Sequence, residues 1–346
     1  MSARLDRLRA ELTEPLLLTD LVNIFWLTGF ESSNAALLVA PDDEPLLFTD
    51  FRYIQSAERV PAVRVEVTKR ALLVDLADRL DGRVQFEADA VPYAQYEVLA
   101  RGGLELVPTR GIVASLRSVK DETEIDKIRR AARAADRAFE ALTAETWVGR
   151  TERELAWRLR TLMHAHGVDH LGFDTVIAAG ANGSLPHAEP GDDTVQPRQL
   201  VVADFGARLD GYRSDCTRTV STGGLPRELR AIYDVCLEAQ QRAVAGIRPG
   251  ITGVDADGLA RQVIDDAGYG EHFGHGLGHG VGLDVHEAPR LSPESTDTLE
   301  VGNVFSIEPG IYLPGVGGVR IEDLVVLRDN GAEVLTSFPK QLTDVT

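Results

Sequence analysis

The sequence predicts a two-domain protein: an α/β domain over residues 1–115, then an α+β domain over 116–346 built from an internal duplication. Three observations carry that prediction. In the first third, short apolar runs bounded by Pro, Asp or Gly alternate with helical patterns. A long amphipathic stretch, Val119–Leu142, then marks the boundary. Beyond it one order of elements occurs twice, about a hundred residues apart.

In the first domain Leu16–Leu18, Ala36–Ala40 and Leu46–Phe48 are expected as buried strands, and Ala3–Leu12, Phe51–Glu58 and Ala71–Leu80 as helices. This region has no His and no Cys, so a metal site made by it alone is not expected. The linking stretch carries Ile125, Ile128, Ala132, Ala135 and Phe139 at helical spacing. Lys120-Asp121-Glu122 places carboxylates in its first turn, where the helix dipole favours them.

Gly149-Arg150-Thr151 opens a helix ending at Gly167, and Gly250-Ile251-Thr252 opens another ending at Gly268. Each helix leads to a His-containing loop, Pro186-His187-Ala188-Glu189-Pro190 and then Val285-His286-Glu287-Ala288-Pro289. A strand pair bearing two acidic residues follows each loop. A duplicated domain places such equivalent strands face to face, with a site on the axis between them.

The chain of 346 residues has room for two proper cores. Its net charge of −18 repels nucleic-acid backbones, which argues against a DNA or RNA role. Two cysteines do not make a disulfide scaffold. No run approaches the ~20 apolar residues needed to cross a bilayer, and the charged N-terminus lacks a signal-peptide core. A cytoplasmic protein without a membrane role is expected.

The chemistry lies in three segments. In Leu200–Val220, Leu200–Ala203 and Cys216–Val220 suit strands and Arg208–Gly211 a hairpin loop, which sets Asp204 directly opposite Asp215. Their Cβ atoms would then lie about 5 Å apart on one face. Two like charges so placed require a cation between them or a proton on one. Cys216 alternates with them and points into the core. The second segment, Val304–Leu327, repeats the architecture: Glu308 and Glu322 stand on apolar backgrounds about a turn-rich Pro314–Gly318. One acidic residue in a strand usually faces solvent; four in two matched hairpins do not fit that explanation.

The third segment is Gly274–Gly282, with glycine at every even position and His275, Leu277, His279 and Val281 between them. Its glycines rule out a stable helix. As a strand it has one bare face, open to another backbone, and one face carrying both histidines. GHGLGH lacks the strand and helix flanks of a dinucleotide loop. An oxygen-rich set with one imidazole favours Mn²⁺ first, with Co²⁺ or Zn²⁺ as alternatives, over a structural zinc site. Four carboxylates can bridge two divalent ions, which lower the pKa of water and polarise a carbonyl oxygen. That is hydrolytic chemistry.

Together DFGARLDGYRSDCTRT, HGLGHGVGLDVHEAPR and SIEPGIY followed by GGVRIED resemble the pita-bread metallopeptidases, in the proline-peptidase branch of Xaa-Pro dipeptidase (prolidase) and aminopeptidase P. These motifs lie within residues 187–323, and Asn23–Phe30 adds a weaker match in the N-terminal domain. The resemblance implies a creatinase/prolidase-like N-terminal domain, a pita-bread (creatinase/aminopeptidase-like) catalytic domain and a homodimer.

It implies two metal ions held by Asp204, Asp215, His279, Glu308 and Glu322, with Glu308 also moving the proton. His187 and His286 would hold substrate and stabilise the tetrahedral intermediate, and His275 would stand near the site. Arg320 would orient ligands, and Phe173 would line a proline pocket, although a Phe in that setting also suits the core. His164, His166 and His170 match nothing and are expected on the surface. No ligand position departs from the pattern, unlike creatinase, which lacks the metal set.

The substrates implied are small peptides with proline at the second position. Arg290 matches an arginine that takes a free carboxylate in prolidases, which favours a dipeptidase. Aminopeptidase P is the alternative. A methionine aminopeptidase ranks lower because it usually lacks the N-terminal domain, and a non-enzymatic peptide-binding module on the same scaffold ranks last.

Overall fold

The computed structural model describes residues 2–345, and the chain divides into two compact units after Arg117. The first unit is a six-stranded sheet with strand order 64–68, 46–50, 35–39, 16–18, 81–87, 103–109. Leu16–Leu18 lies inside it, antiparallel to Ala35–Val39 and parallel to Asp81–Glu87, and all three of its leucines are fully buried. The three expected strands are present. Arg64–Thr68, Asp81–Glu87 and Gly103–Thr109 were not foreseen.

The expected helix over Phe51–Glu58 is only Ile54–Ala57. Its first residues instead turn around Asp50, whose buried carboxylate accepts from the Arg52 amide and guanidinium. Asn23–Phe30 falls largely in a helix, Leu21–Thr28, capped by Asp20 and ended by Gly29 at φ 72°.

The second unit begins with the helix Glu122–Thr143, opened by a capping box between Asp121 and Glu124. All five apolar positions of its predicted stripe are buried. The duplication is visible in detail. Thr151 caps the helix Glu152–Ala165 and Thr252 caps Gly253–Asp266. Gly149 and Gly250 precede these caps at φ 85° and 86°, and Gly167 and Gly268 follow the helices at 85° and 83°. Thr151 bridges Thr194 as Thr252 bridges Thr298.

Each half then supplies a sheet. The first has Leu200–Phe205 between Val176–Ala179 and Cys216–Ser221; the second runs in the order 287–291, 278–280, 304–307, 323–328, 331–334. One core gathers around Phe139, Trp147 and Phe205, the other around Tyr233, Phe305 and Ile307. The helix Arg227–Gly246, which covers the second core, was not foreseen.

Two details differ from expectation at the hairpins. Opposite Asp204 stands Thr217, not Asp215. The intervening Ala207–Leu209 and Tyr212–Arg213 leave this sheet to pair with each other and with His170–Leu171, which moves the register by two residues. Because side chains alternate with period two, that shift keeps Asp215 on the side of Asp204; a shift of one would have reversed it. The second hairpin is broken. Val304–Ile307 pairs with Asp323–Arg328, and Gly310–Leu313 pairs separately with Gly317–Arg320.

Candidate metal centre

Glu308 and Glu322 occupy that break, outside both ladders. Their amides bond elsewhere: Glu308 N–H donates to Leu277 O (2.8 Å) and Glu322 N–H to Thr217 O (3.0 Å). The second bond links the two halves of the domain. It draws the Glu322 carboxylate towards the first hairpin, where oxygens of Asp204, Asp215 and Glu322 all lie within 4.8 Å of one another.

His279 arrives on the glycine-rich segment. Only Gly278–Gly280 is regular strand, running between Glu287–Leu291 and Val304–Ile307. A Cβ at Gly278 would run into the Ser306 carbonyl oxygen, and one at Gly280 into that of Ala288. The bare face is therefore used for backbone approach on both sides. The imidazole lies on the other side, with Nε2 3.2 Å from Glu308 Oε1 and 3.7 Å from Asp215 Oδ2. All five residues of the expected set thus converge.

The cluster is electrostatically unbalanced without a cation. Burial, and then the charge of Glu322, pushes Asp215 well above the usual carboxylate range. Glu322 rises well above it too, through burial and then Glu308. Asp204 is raised by burial despite Arg320. Burial also acts against the Glu308 anion, but the hydrogen bond and charge of His279 outweigh it and hold Glu308 near 2. His279 itself is raised to about 9: burial lowers it, and Glu308 more than compensates. Asp204 Oδ1 and Glu322 Oε1 are buried without a hydrogen-bond partner among the described residues. Unpartnered carboxylate oxygens aimed into one cluster suit a divalent cation, and hard oxygen donors with one imidazole are the donor set such ions take.

Neighbouring side chains hold these groups in place. Arg320, buried, donates from Nη2 to Asp204 Oδ2 (2.6 Å), from Nε to Thr217 Oγ1 (3.0 Å) and from Nη1 to the Tyr312 hydroxyl (2.8 Å). Thr217 donates to Glu322 Oε2 (2.8 Å). Ser306 donates to Glu308 Oε1 (2.8 Å) and accepts from the His279 amide (3.0 Å). His275 Nε2 lies 3.0 Å from the Tyr312 hydroxyl. Of these, Thr217, Ser306 and Tyr312 were not singled out from the sequence. Thr217 was findable, since it lies two residues from Asp215 on the same strand face.

Above the carboxylates opens a cavity of about 1260 Å³ whose walls include Phe173, His187, His275, His286 and Arg290. The His286 ring packs 4.3 Å from that of His279, and burial, then His279, pushes its pKa down. Phe173 is half-buried against Gly206. His187 and Arg290 are exposed on the wall. His164, His166 and His170 stand apart from the cavity: His164 Nδ1 lies 3.1 Å from Val168 O, and His170 pairs with Arg208 on the short extra strand.

Comparison with known proteins agrees with this geometry. Residues 126–329 match the model of metallopeptidase family M24, and residues 4–119 match the creatinase/prolidase N-terminal domain. An uncharacterized peptidase of Bacillus subtilis is 40% identical, covering 94% of either chain. The structure of an Xaa-Pro dipeptidase from Bacillus anthracis superposes with a TM-score of 0.94 at 35% identity, covering 99% of both chains. An X-Pro aminopeptidase from Thermotoga maritima does so at 0.87 and 34%, covering 96% of this chain and 97% of the other. With its carboxylate cluster at the junction of two pseudo-symmetric halves, the chain belongs to metallopeptidase family M24 and carries a creatinase/prolidase N-terminal domain.

Proposed function

We propose that the protein hydrolyses the peptide bond preceding proline, acting as an Xaa-Pro dipeptidase. The observation that carries this reading is the convergence of Asp204, Asp215, His279, Glu308 and Glu322 beneath one peptide-sized cavity. These five would hold two divalent ions, Mn²⁺ by preference. When bound, such ions supply Lewis acidity to a carbonyl oxygen and ionise water near neutral pH.

The remaining work falls to side chains. Glu308 accepts the proton of the attacking water and returns it to the departing proline nitrogen. His286 and His187 face the cavity from two loops and stabilise charge developing on the carbonyl oxygen. Arg320 fixes the Asp204 carboxylate, and through Tyr312 it also reaches His275. Phe173 packs against the proline ring, whose fixed φ presents a rigid shape to the wall. Arg290 pairs with the free carboxylate of a dipeptide.

The second reading, an Xaa-Pro aminopeptidase acting on longer peptides, is favoured by the size of the cavity. A cytoplasmic homodimer is the setting we propose; both cysteines are buried and unpaired, which suits a reducing compartment. Among the described residues no helix is long and apolar enough to cross a membrane.

The test is hydrolysis of Xaa-Pro against Xaa-Pro-Yaa by the Mn²⁺-loaded protein, with Glu308→Gln as control. The dipeptide should be preferred and the variant should lose nearly all turnover. Preference for the tripeptide selects the second reading, and near-normal turnover by the variant removes Glu308 from its role. Failure to take up Mn²⁺ or Co²⁺ would leave only a peptide-binding module.

A further inference from the structure

The cavity is larger than an Xaa-Pro dipeptide requires. At about 1260 Å³ it exceeds the ~300–1,000 Å³ that encloses a drug-sized ligand. Part of its wall is one face of the helix Glu152–Ala165: Arg153, Ala156, Trp157 and Arg160 line it. Their spacing of i, i+3, i+4 and i+7 makes a single stripe. Leu155, Leu159 and Met163 on the opposite side are fully buried in the core, which fixes the rotation of the helix.

Two features of this stripe are out of character for a solvated helix face. Trp157 is 66% exposed, although a large indole normally finds cover. The Arg160 guanidinium lies 5.5 Å from the Trp157 ring centroid and makes no ion pair among the described residues, in a chain with 54 acidic side chains. A guanidinium resting on an aromatic face keeps its fork of donors free and oriented, ready for a carboxylate. The stripe also sets a polarity. Arg153 is paired with Asp192 (3.0 Å), so the polarity comes from Arg160, which repels a peptide's cationic α-amino end and attracts its carboxyl end.

We propose that this helix face is a second recognition site, for the carboxyl-terminal part of peptides that continue beyond the proline. Arg160 takes the terminal carboxylate and Trp157 packs against the residue next to it. Arg290 then serves the dipeptide and Arg160 the tri- or tetrapeptide. The proposal rests on the proline-peptidase reading and extends its substrate class to short peptides with a free carboxylate.

The experiment compares Xaa-Pro, Xaa-Pro-Yaa and Xaa-Pro-Yaa-Zaa, the last two also as C-terminal amides, with wild type, Arg160→Met and Trp157→Phe. For the tri- or tetrapeptide, the wild type should show a KM at least about fivefold lower for the acid than for the amide. Arg160→Met should erase that difference and leave the dipeptide KM unchanged. An unaltered acid-to-amide ratio, an equal change for the dipeptide, or wild-type cleavage of the dipeptide alone overturns the inference while leaving the proposed function intact.

Binding can also be read without turnover. Trp26 and Trp147 are buried, so in Glu308→Gln protein the tetrapeptide acid should shift tryptophan emission to the blue, and Trp157→Phe should abolish that shift. If no proline peptide is cleaved by wild type, this measurement alone decides whether the helix face binds a peptide carboxylate. An absent shift, or one equal for acid and amide, refutes it.

Discussion

Thr217 donates its hydroxyl to Glu322 Oε2 at 2.8 Å, and Arg320 Nε donates to the same hydroxyl oxygen at 3.0 Å. One small side chain therefore joins a carboxylate of the second half to the arginine that also holds Asp204 in the first. Thr217→Val keeps the β-branched shape and removes the hydroxyl. Loss of such a supporting hydrogen bond typically costs ~10–100-fold in metal affinity. We expect Mn²⁺ affinity, measured by calorimetry, to fall at least tenfold while the far-UV circular dichroism is unchanged. Wild-type affinity in this variant would show that the contact is incidental.

Metal uptake should release protons. In the metal-free protein His279, raised to about 9, holds a proton that a cation must displace. Burial and neighbouring acids shift Asp215 and Glu322 in the same sense, above the usual carboxylate range. Titration with Mn²⁺ near pH 6.5 in buffers of different ionisation enthalpy should yield about one proton or more per loaded site, with affinity rising as pH rises. Heats that do not depend on the buffer would contradict this.

A buried ion cluster lies behind the site. Asp323 accepts from Arg218 Nη2 (2.8 Å), Thr336 (2.9 Å) and Gln240 (3.0 Å), and it also pairs with Lys340. Burial raises its pKa, but Arg218 and Lys340 outweigh burial and hold it below its ordinary value. A carboxylate depressed in the folded state contributes stability above its unfolded pKa of ~3.9 and loses it as pH falls through the folded value. Asp323→Asn should therefore destabilise by ~3–5 kcal/mol at pH 7, because Arg218 stays buried without its counter-charge. Urea unfolding should show the gap from wild type narrowing below about pH 4. A gap of equal size at pH 3 would assign the effect to packing.

The alternating glycines should not be equivalent. Gly278→Ala places a methyl group against the Ser306 carbonyl oxygen, whereas a Cβ at Gly274 meets nothing within 4 Å. Gly278→Ala is expected to lower stability by ~1–3 kcal/mol and to weaken metal binding through His279. Gly274→Ala should do neither in parallel thermal melts. Similar melting temperatures for the two variants would remove the close-approach explanation of the motif.

The acidic residues of the centre were legible in the sequence because a carboxylate on an apolar strand is conspicuous, and period-two alternation forgave an error of two in register. The break at Glu308 and Glu322 was not legible. It depends on amide bonds to Leu277, just before the strand Gly278–Gly280, and to Thr217 in Cys216–Ser221. Ser306 and Tyr312 escaped notice for a similar reason, since a hydroxyl declares its role only through its partner. The helix Arg227–Gly246 was legible and was missed: Leu229, Ile232, Tyr233, Cys236, Ala239 and Ala243 recur at helical spacing, interrupted only by Gln240. Arg64–Thr68 and Asp81–Glu87 alternate charged and apolar residues over few positions, where period two is a weak signal.

The matched caps at Thr151 and Thr252 mark two copies of one structural unit. Asp204 and Asp215 belong to the first repeat; His279, Glu308 and Glu322 belong to the second. Neither repeat owns the cluster. A single repeat therefore lacks the donors of the full cluster, and joining the two in one chain is what assembles it. The first copy now supplies two aspartates, and the second a glycine-backed histidine and two glutamates. A symmetric scaffold thus carries an asymmetric centre, so a change in either repeat alone is enough to dismantle it.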